Sequence, residues 1–391
     1  MIRVGFIVAV TDRSWIGGIN YISNLINAVL AMPDRSIEPV LLVSDRTPDE
    51  ILGMFPAVET IRSPIVAEGT WLRKVRKGFE RGAGRDLIAE AFLRRHRIDV
   101  LSHSDQLGAR ASTPTIGWIA DFQHVRMPEF FMPAELAARD RGFGRLAAHC
   151  DIVLLSSEDA RRDLAGFAPD SISRARVLRF VSGLSDSTSP TPAADLRAKY
   201  RLPERFIFLP NQMWAHKNHG VVVDALAIAR ERGREVTVVC TGNTGDRRRP
   251  DYFPGLQQQI RAAGIETLMP ILGLVPYSDV KGLYSEALAV LNPSFFEGWS
   301  TSVEEGKSQG KIVVLSDIPV HREQAPPRGR YFNPRDPAEL AAILIDLHLH
   351  ADPSEDEIHR AEATRALRDR TLAFGAEFTT IVAEAARGRA S

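Results

Sequence analysis

The chain has 391 residues, with 49 Lys plus Arg against 49 Asp plus Glu, 44% hydrophobic residues, 25% charged residues and two cysteines. That length exceeds one compact α/β core and makes two domains the default, and the balanced charge excludes an overall field that would gather nucleic acid. Cys150 and Cys240 are too few and too far apart for a disulfide framework or a cysteine metal site, which fits a reduced, cytosolic setting.

The opening run, MIRVGFIVAV, is too short for a signal peptide with its cleavage region and predicts a buried strand from Val4 to Val10. No run approaches the ~20 apolar residues of a spanning helix, so the chain is not expected to cross a membrane. A loop from Thr11 to Gly18 leads to a helix over Ile19–Met32 with Ile22, Leu25, Ile26 and Val29 on one face. Gly17-Gly18 at its start either forms a plain tight turn or lets backbone approach a bound group. A strand from Val40 to Ser44 completes a β-α-β unit.

Segment 71–97 is locally basic, and Trp71, Leu72, Val75 and Phe79 interleave with its arginines and lysines. It reads either as a solvated helix pair or as an amphipathic face for an anionic membrane. Strands are predicted over Asp99–Ser102 and Pro114–Ile119, the second followed by Ala120-Asp121-Phe122-Gln123-His124. Asp121, Gln123 and His124 then sit at the edge of a parallel sheet where ligands bind, although a lone histidine is as readily structural. The run Gly142-Phe143-Gly144-Arg145-Leu146-Ala147 fits a loose dinucleotide pattern but follows no strand, so no dinucleotide cofactor is expected. A strand over Asp151–Ser156, a helix over Ser157–Gly166 and a closing strand over Val177–Phe180 complete the first half.

Ser182–Ala193, rich in Ser, Thr and Pro, marks a domain boundary. The alternation then restarts, with strands at Phe206–Leu209, Val236–Thr241, Met269–Gly273 and Ala287–Leu291, helices between them, and the polar run Asn211 to His219 after the first. The most informative stretch is Ser294–Gly306, SFFEGWSTSVEEG, between the apolar runs ALAVL and Ile312–Leu315. Its carboxylates, Gly298, Ser300 and the N–H groups of a helix start suit a polar, partly anionic ligand. A capping box, Ser302 with Glu305 or Thr301 with Glu304, would explain one acid as a helix cap; Glu297 lies before the helix and has no such explanation. After His321 the pattern turns helical, and Ser354–Arg387 predicts a long helix packing back on the body.

These residues in this order resemble the retaining GT-B glycosyltransferases of the family-four type, the group 1 glycosyltransferases. The likeness is carried by Gly17-Gly18, Asp121–Phe130 (DFQHVRMPEF), the Lys217 region, Gly273-Leu274-Val275-Pro276, Phe296-Glu297-Gly298, Glu305-Gly306 and Asp317-Ile318-Pro319. It implies an α/β fold of two Rossmann-like domains with a cleft between them. Residues 1–183 would bind the acceptor, 184–203 would link, 204–370 would bind a nucleotide-sugar donor, and 371–391 would return as a helix to the first domain. Glu297, Asp121 and His124 would be catalytic. Gly17, Gly18, Asn211, Lys217, Gly298, Trp299, Ser300, Thr301, Ser302 and Glu305 would hold the donor, Glu305 at the ribose and Lys217 at the diphosphate, with Gly273 and Val275 at the base. A diphosphate leaving group needs cations and N–H donors for its developing charge, and carboxylates accept from sugar hydroxyls. No metal site and no cofactor beyond the nucleotide sugar are expected, since His216 and His219 suit a helix start better than a cluster.

Two positions depart from that pattern. Gln212 and Asn211 stand where many members carry an arginine, which directs attention to Arg247, Arg248 and Arg249. Ala120 stands where many carry a histidine, a role left to His124, to His103 or to neither. The sequence therefore predicts a hexosyl transferase acting on a glycan or lipid-linked glycan in surface polysaccharide synthesis, cytoplasmic and peripheral at the inner face of a membrane. A non-catalytic GT-B partner subunit and a GT-B sugar-nucleotide epimerase are the rival readings.

Overall fold

A computed structural model describes residues 1–10, 16–103, 107–184 and 188–388. Most of the expected loop after the first strand, part of the Ser-rich boundary and the last three residues lie outside that set. Two compact units result, one of Met1–Phe122, Pro133–Val181 and Asp369–Ser391, the other of Gln123–Met132 and Ser182–Arg368.

The first unit is built on seven parallel strands among the described residues: β1 (Ile2–Val8), β2 (Ile37–Val43), β3 (Glu59–Arg62), β4 (Val100–Ser102), β5 (Thr115–Ile119), β6 (Ile152–Leu155) and β7 (Ala175–Val177). Their order is β3-β2-β1-β4-β5-β6-β7, the doubly wound arrangement that follows from β-α-β units with right-handed crossovers. Central strands are buried on both faces and read as continuous apolar runs, as β6 (IVLL) does. Gly117 in β5 leaves room for the Cys150 sulfur, which would stand 2.6 Å from an added Cβ. Both cysteines are buried and reduced.

The second unit repeats the scheme with β8 (Ile207–Pro210), β9 (Val238–Thr241), β10 (Ala289–Asn292), β11 (Ile312–Ser316) and β12 (Gly329–Phe332), in the order β12-β11-β10-β8-β9. Apolar clusters lie on both faces: Leu209, Val222, Leu226, Ile260, Leu291 and Leu344 on one, Phe206, Phe208, Tyr284, Val290 and Val303 on the other. The strand expected over Met269–Gly273 is reduced to a bridge between Ile271 and Cys240. Pro270 removes a donor there, and Gly273 turns the chain away at φ 70°. A helix, Glu355–Arg387, continues from the second unit into the first. At its start Asp356 accepts from Lys311 and Arg328, both at 2.7 Å. Further on, Phe378 packs against Phe6 at 5.8 Å within the first unit. Gly142 and Gly144 fall inside the helix Pro133–His149, so no glycine loop forms there.

Candidate functional site

Parallel strands place their C-terminal ends at one edge, and in the second unit that edge gathers polar side chains. Asn211 follows β8, Asn292 ends β10 and Ser316 ends β11. Beyond Asn211 the chain makes a tight turn at Ala215–Lys217 and reverses at Asn218, whose φ of 56° is a left-handed conformation that asparagine tolerates. Asn218 Nδ2 donates to the carbonyls of Pro293 (3.0 Å) and Pro334 (2.9 Å), and Phe295 N–H donates to His216 O (2.8 Å). These bonds stitch the Lys217 turn to the loop after β10.

That stitching brings together two residues 80 positions apart. Lys217 Nζ donates to Glu297 Oε1 at 2.6 Å, with both side chains largely buried. Ser294 Oγ (2.7 Å) and Asn292 Nδ2 (3.2 Å) donate to the same oxygen, and among the described residues none donates to Oε2. Burial alone would raise the Glu297 carboxyl, but Lys217, His321 and His216 outweigh it and hold it at about 2. Glu297 is therefore ionised at neutral pH. Asn292 is the hub of this edge, donating also to Ser300 Oγ (2.7 Å) and Ser302 Oγ (3.2 Å) and accepting from Asn211 Nδ2 (3.2 Å). His321 lies against Ser316, with Nδ1 2.9 Å from its carbonyl, and its buried Nε2 has no hydrogen-bond partner among the described residues.

The helix after the loop spans Thr301–Ser308. Its N-cap is Ser300, which makes no side-chain cap bond, and neither expected capping box forms. Both acids turn elsewhere. Glu304 accepts from Gln324 Nε2 at 3.2 Å, while Gln324 also brackets the Ser300 backbone, accepting from its N–H at 3.1 Å and donating to its C=O at 3.0 Å. Glu305 accepts from the buried Tyr284 hydroxyl at 2.8 Å. Burial pushes the Glu305 carboxyl up to about 7 against the opposing pull of that hydroxyl.

A family profile described as "Glycosyl transferases group 1" matches residues 203–350. The second unit carries a group 1 glycosyltransferase domain. The O-antigen chain mannosyltransferase RfbU of Salmonella typhimurium is 28% identical over 133 residues, covering 34% of this chain and 35% of that protein, so the match spans about a third of the curated relative's length. Among solved structures, Anabaena HepE in complex with UDP and glucose superposes with a TM-score of 0.68 at 16% identity, over 98% of this chain and 100% of that one. A glycosyltransferase from Rickettsia africae gives 0.67 at 14% identity, over 97% and 98%. The chain has their GT-B fold, α/β with two parallel sheets.

Within the group 1 domain the structure thus joins Asn211, Lys217, Glu297, Ser300 and Ser302 in one network, with Gly298, Trp299 and Thr301 on the same loop and helix start and Glu305 one turn on. Gly273 accepts from Gly242 N–H at 2.9 Å, which sets Val275 just past the edge beside β9. Burial holds the His216 imidazole down at about 3, helped by the charges of Lys217 and then of Arg248, which follows Thr241 in the loop after β9. Arg248 also lies over the Phe131 ring at 4.2 Å, and Phe131 neighbours His124 at 6.4 Å. His124 therefore belongs to the second unit and lies beside the Arg248 loop. Gly17, Gly18 and Asp121 belong to the first unit, the glycines in the opening turn of the helix Ile16–Leu30. His103 is enclosed there by Ser102 Oγ (2.8 Å) and Tyr21 OH (3.0 Å), and burial lowers it to about 3, which is a structural setting. The sequence reading missed Asn292, Ser294, Gln324 and His321, whose only local sign is a position just past an apolar strand or within the next helix. Among the described residues no three His, Cys, Asp or Glu side chains converge as a metal site.

Proposed function

We propose that the protein is a retaining glycosyltransferase that moves a hexose from a nucleotide diphosphate sugar to a glycan or lipid-linked glycan acceptor in surface polysaccharide synthesis. The observation that carries the reading is the Lys217–Glu297 pair at the strand-end edge of a group 1 domain, beside the start of the helix Thr301–Ser308. In this reading Lys217, Arg248 and the N–H groups from Gly298 to Ser302 take the charge of the diphosphate, as a departing anion requires. Glu297, ionised, accepts from the sugar's hydroxyls and steadies an oxocarbenium-like state. The leaving phosphate takes the acceptor's proton, so no covalent nucleophile and no resident metal are invoked. Glu305 holds the ribose, Gly273 and Val275 flank the base, Gly17 and Gly18 complete the diphosphate site, and Asp121 and His124 serve the acceptor side. The enzyme works in the cytoplasm, peripheral to a membrane that supplies its acceptor.

The likeness to a mannosyltransferase makes mannose the first sugar to test. A thermal-shift screen of UDP-, GDP- and dTDP-sugars, followed by product analysis with and without acceptor, decides the matter. A donor that binds and is consumed only with acceptor supports the reading; conversion of the donor alone would make the protein an epimerase. In the Glu297→Ala variant turnover is lost while nucleotide binding persists, and unchanged turnover would overturn the role given to this carboxylate.

A further inference from the structure

The helix Tyr277–Glu286 lays Val280, Leu283 and Tyr284 on one face at helical spacing, with Ala287 just past its end, against the apolar cluster that contains Phe206, Phe208 and Val290. Tyr284 is fully buried there, its ring edge-on to Phe208 of β8 with centroids 5.1 Å apart. An apolar ring would fill that place equally well. The hydroxyl is what needs a reason, since a polar group inside an apolar cluster is destabilising unless it is bonded. Its bond goes to one carboxylate. The Tyr284 hydroxyl donates to Glu305 Oε2 at 2.8 Å and lies 3.5 Å from the Ser302 carbonyl, in the opening turn of the helix Thr301–Ser308. Glu304 is buried and bonded to Gln324, whereas Glu305 is only partly buried and, among the described residues, takes a side-chain bond from Tyr284 alone. A glutamate on a helix samples several rotamers, and one donor fixed in a packed core selects among them. That donor does not titrate away, because burial pushes the hydroxyl well above its ordinary 10. Held through Oε2, the carboxylate keeps room for further hydroxyls, since its two oxygens offer about four acceptor sites.

We propose that Tyr284 is a positioning residue for the nucleotide's ribose: its hydroxyl holds Glu305 in the orientation from which the carboxylate accepts from the ribose diol, and so sets how strongly the site prefers a ribonucleotide to a deoxyribonucleotide. The inference deepens the donor site proposed above and rests on Glu305 lying at the ribose. Tyr284 does not touch the ligand; it acts through the carboxylate from the core beneath it. Without that bond the ligand itself would have to order the Glu305 side chain, which weakens binding.

The test is calorimetric titration of the full chain with UDP and GDP, and with the 2′-deoxy and 3′-deoxy forms of whichever binds. The parent protein is expected to bind the ribonucleotide about tenfold or more tightly than the form lacking the bonded hydroxyl, as a hydrogen bond to a charged group gives. Tyr284→Phe keeps the ring against Phe208 and should bring that ratio to about twofold or less, by weakening the ribonucleotide while the deoxy form changes little. Glu305→Ala should abolish the preference, and adding Tyr284→Phe to it should change the ratio no further, which is the signature of one residue acting through the other. Glu305→Asp, at a partly buried position, keeps the charge but draws back from Tyr284 and should lose the preference too, so the inference stays testable even where Tyr284→Phe does not fold. A merely structural Tyr284 would lower the melting temperature and weaken both nucleotides equally. That outcome, or a full preference retained in Glu305→Asp, would overturn the inference. Equal affinity of the parent protein for the ribo and deoxy forms, or binding of dTDP alone, would overturn it and leave the transferase reading standing, whereas binding of no nucleotide would remove both.

Discussion

Lys217 and Glu297 hold each other in a setting where neither is replaceable alone. Breaking a buried pair strands the remaining charge, which costs about 3–5 kcal/mol. Lys217→Ala is therefore expected to lower stability by about 3 kcal/mol at neutral pH and to weaken nucleoside diphosphate binding tenfold or more, read by denaturant melts and calorimetry; unaltered affinity would count against the diphosphate role. The sign with pH is set by Glu297, held down at about 2 from an ordinary 4.5. Its contribution is present above pH 4.5 and lost as pH falls toward 2. Glu305 runs the other way. Raised to about 7, it stabilises the fold in its neutral form, and that contribution is lost as pH climbs from 4.5 through 7. Glu305→Gln should remove this slope, leaving the variant relatively more stable at pH 8 than at pH 5, by up to about 3 kcal/mol.

At the scale of elements the site depends on close backbone approach. Gly242, at the end of β9, has φ 137°, and a Cβ there would lie 2.4 Å from the Asn211 carbonyl. Gly242→Ala is expected to displace Asn211 from Asn292, costing about 1–3 kcal/mol and loosening donor binding together with stability. A melt shift without an affinity change would show that the Asn211–Asn292 link does not shape the site. The elements that escaped sequence reading have a common cause. β3 (ETIR) and β12 (GRYF) are sheet edges, and edges carry charged residues that break the apolar run by which buried strands are found. The helix Thr301–Ser308 was legible, yet its cap was not, because Glu304 and Glu305 find partners in Gln324 and Tyr284 that sequence distance hides.

At the scale of the whole molecule, two β-α-β runs separated by a Ser/Pro-rich stretch announced two parallel-sheet halves, since periodicity and turn chemistry are local properties, whereas the GT-B fold was an expectation from the family resemblance. Lys217, Glu297 and Glu305 were legible as chemistry at a strand-end edge, whereas Asn292 as hub and His321 as buried neighbour emerge only from tertiary packing. Because the Lys217–Glu297 network lies within the second unit, a bound nucleotide should raise that unit's melting by mass action, about 2.7 kcal/mol at a hundredfold excess over Kd. Hydrogen exchange on saturation should slow chiefly in residues 203–350; protection confined to the first unit would place the donor elsewhere.

The salt bridge between Lys217 and Glu297 has a kinetic counterpart. On the proposed function, Lys217 cannot serve both the carboxylate and the departing diphosphate at full strength, so the protein would carry its own competitor for the anion released after transfer. Product departure is then an exchange in which Glu297 reclaims the lysine. Glu297→Gln should slow transfer yet bind nucleoside diphosphate several-fold more tightly, giving a variant strongly inhibited by its own product. An inhibition constant equal to or above that of the parent protein would show that the internal carboxylate plays no part in product release.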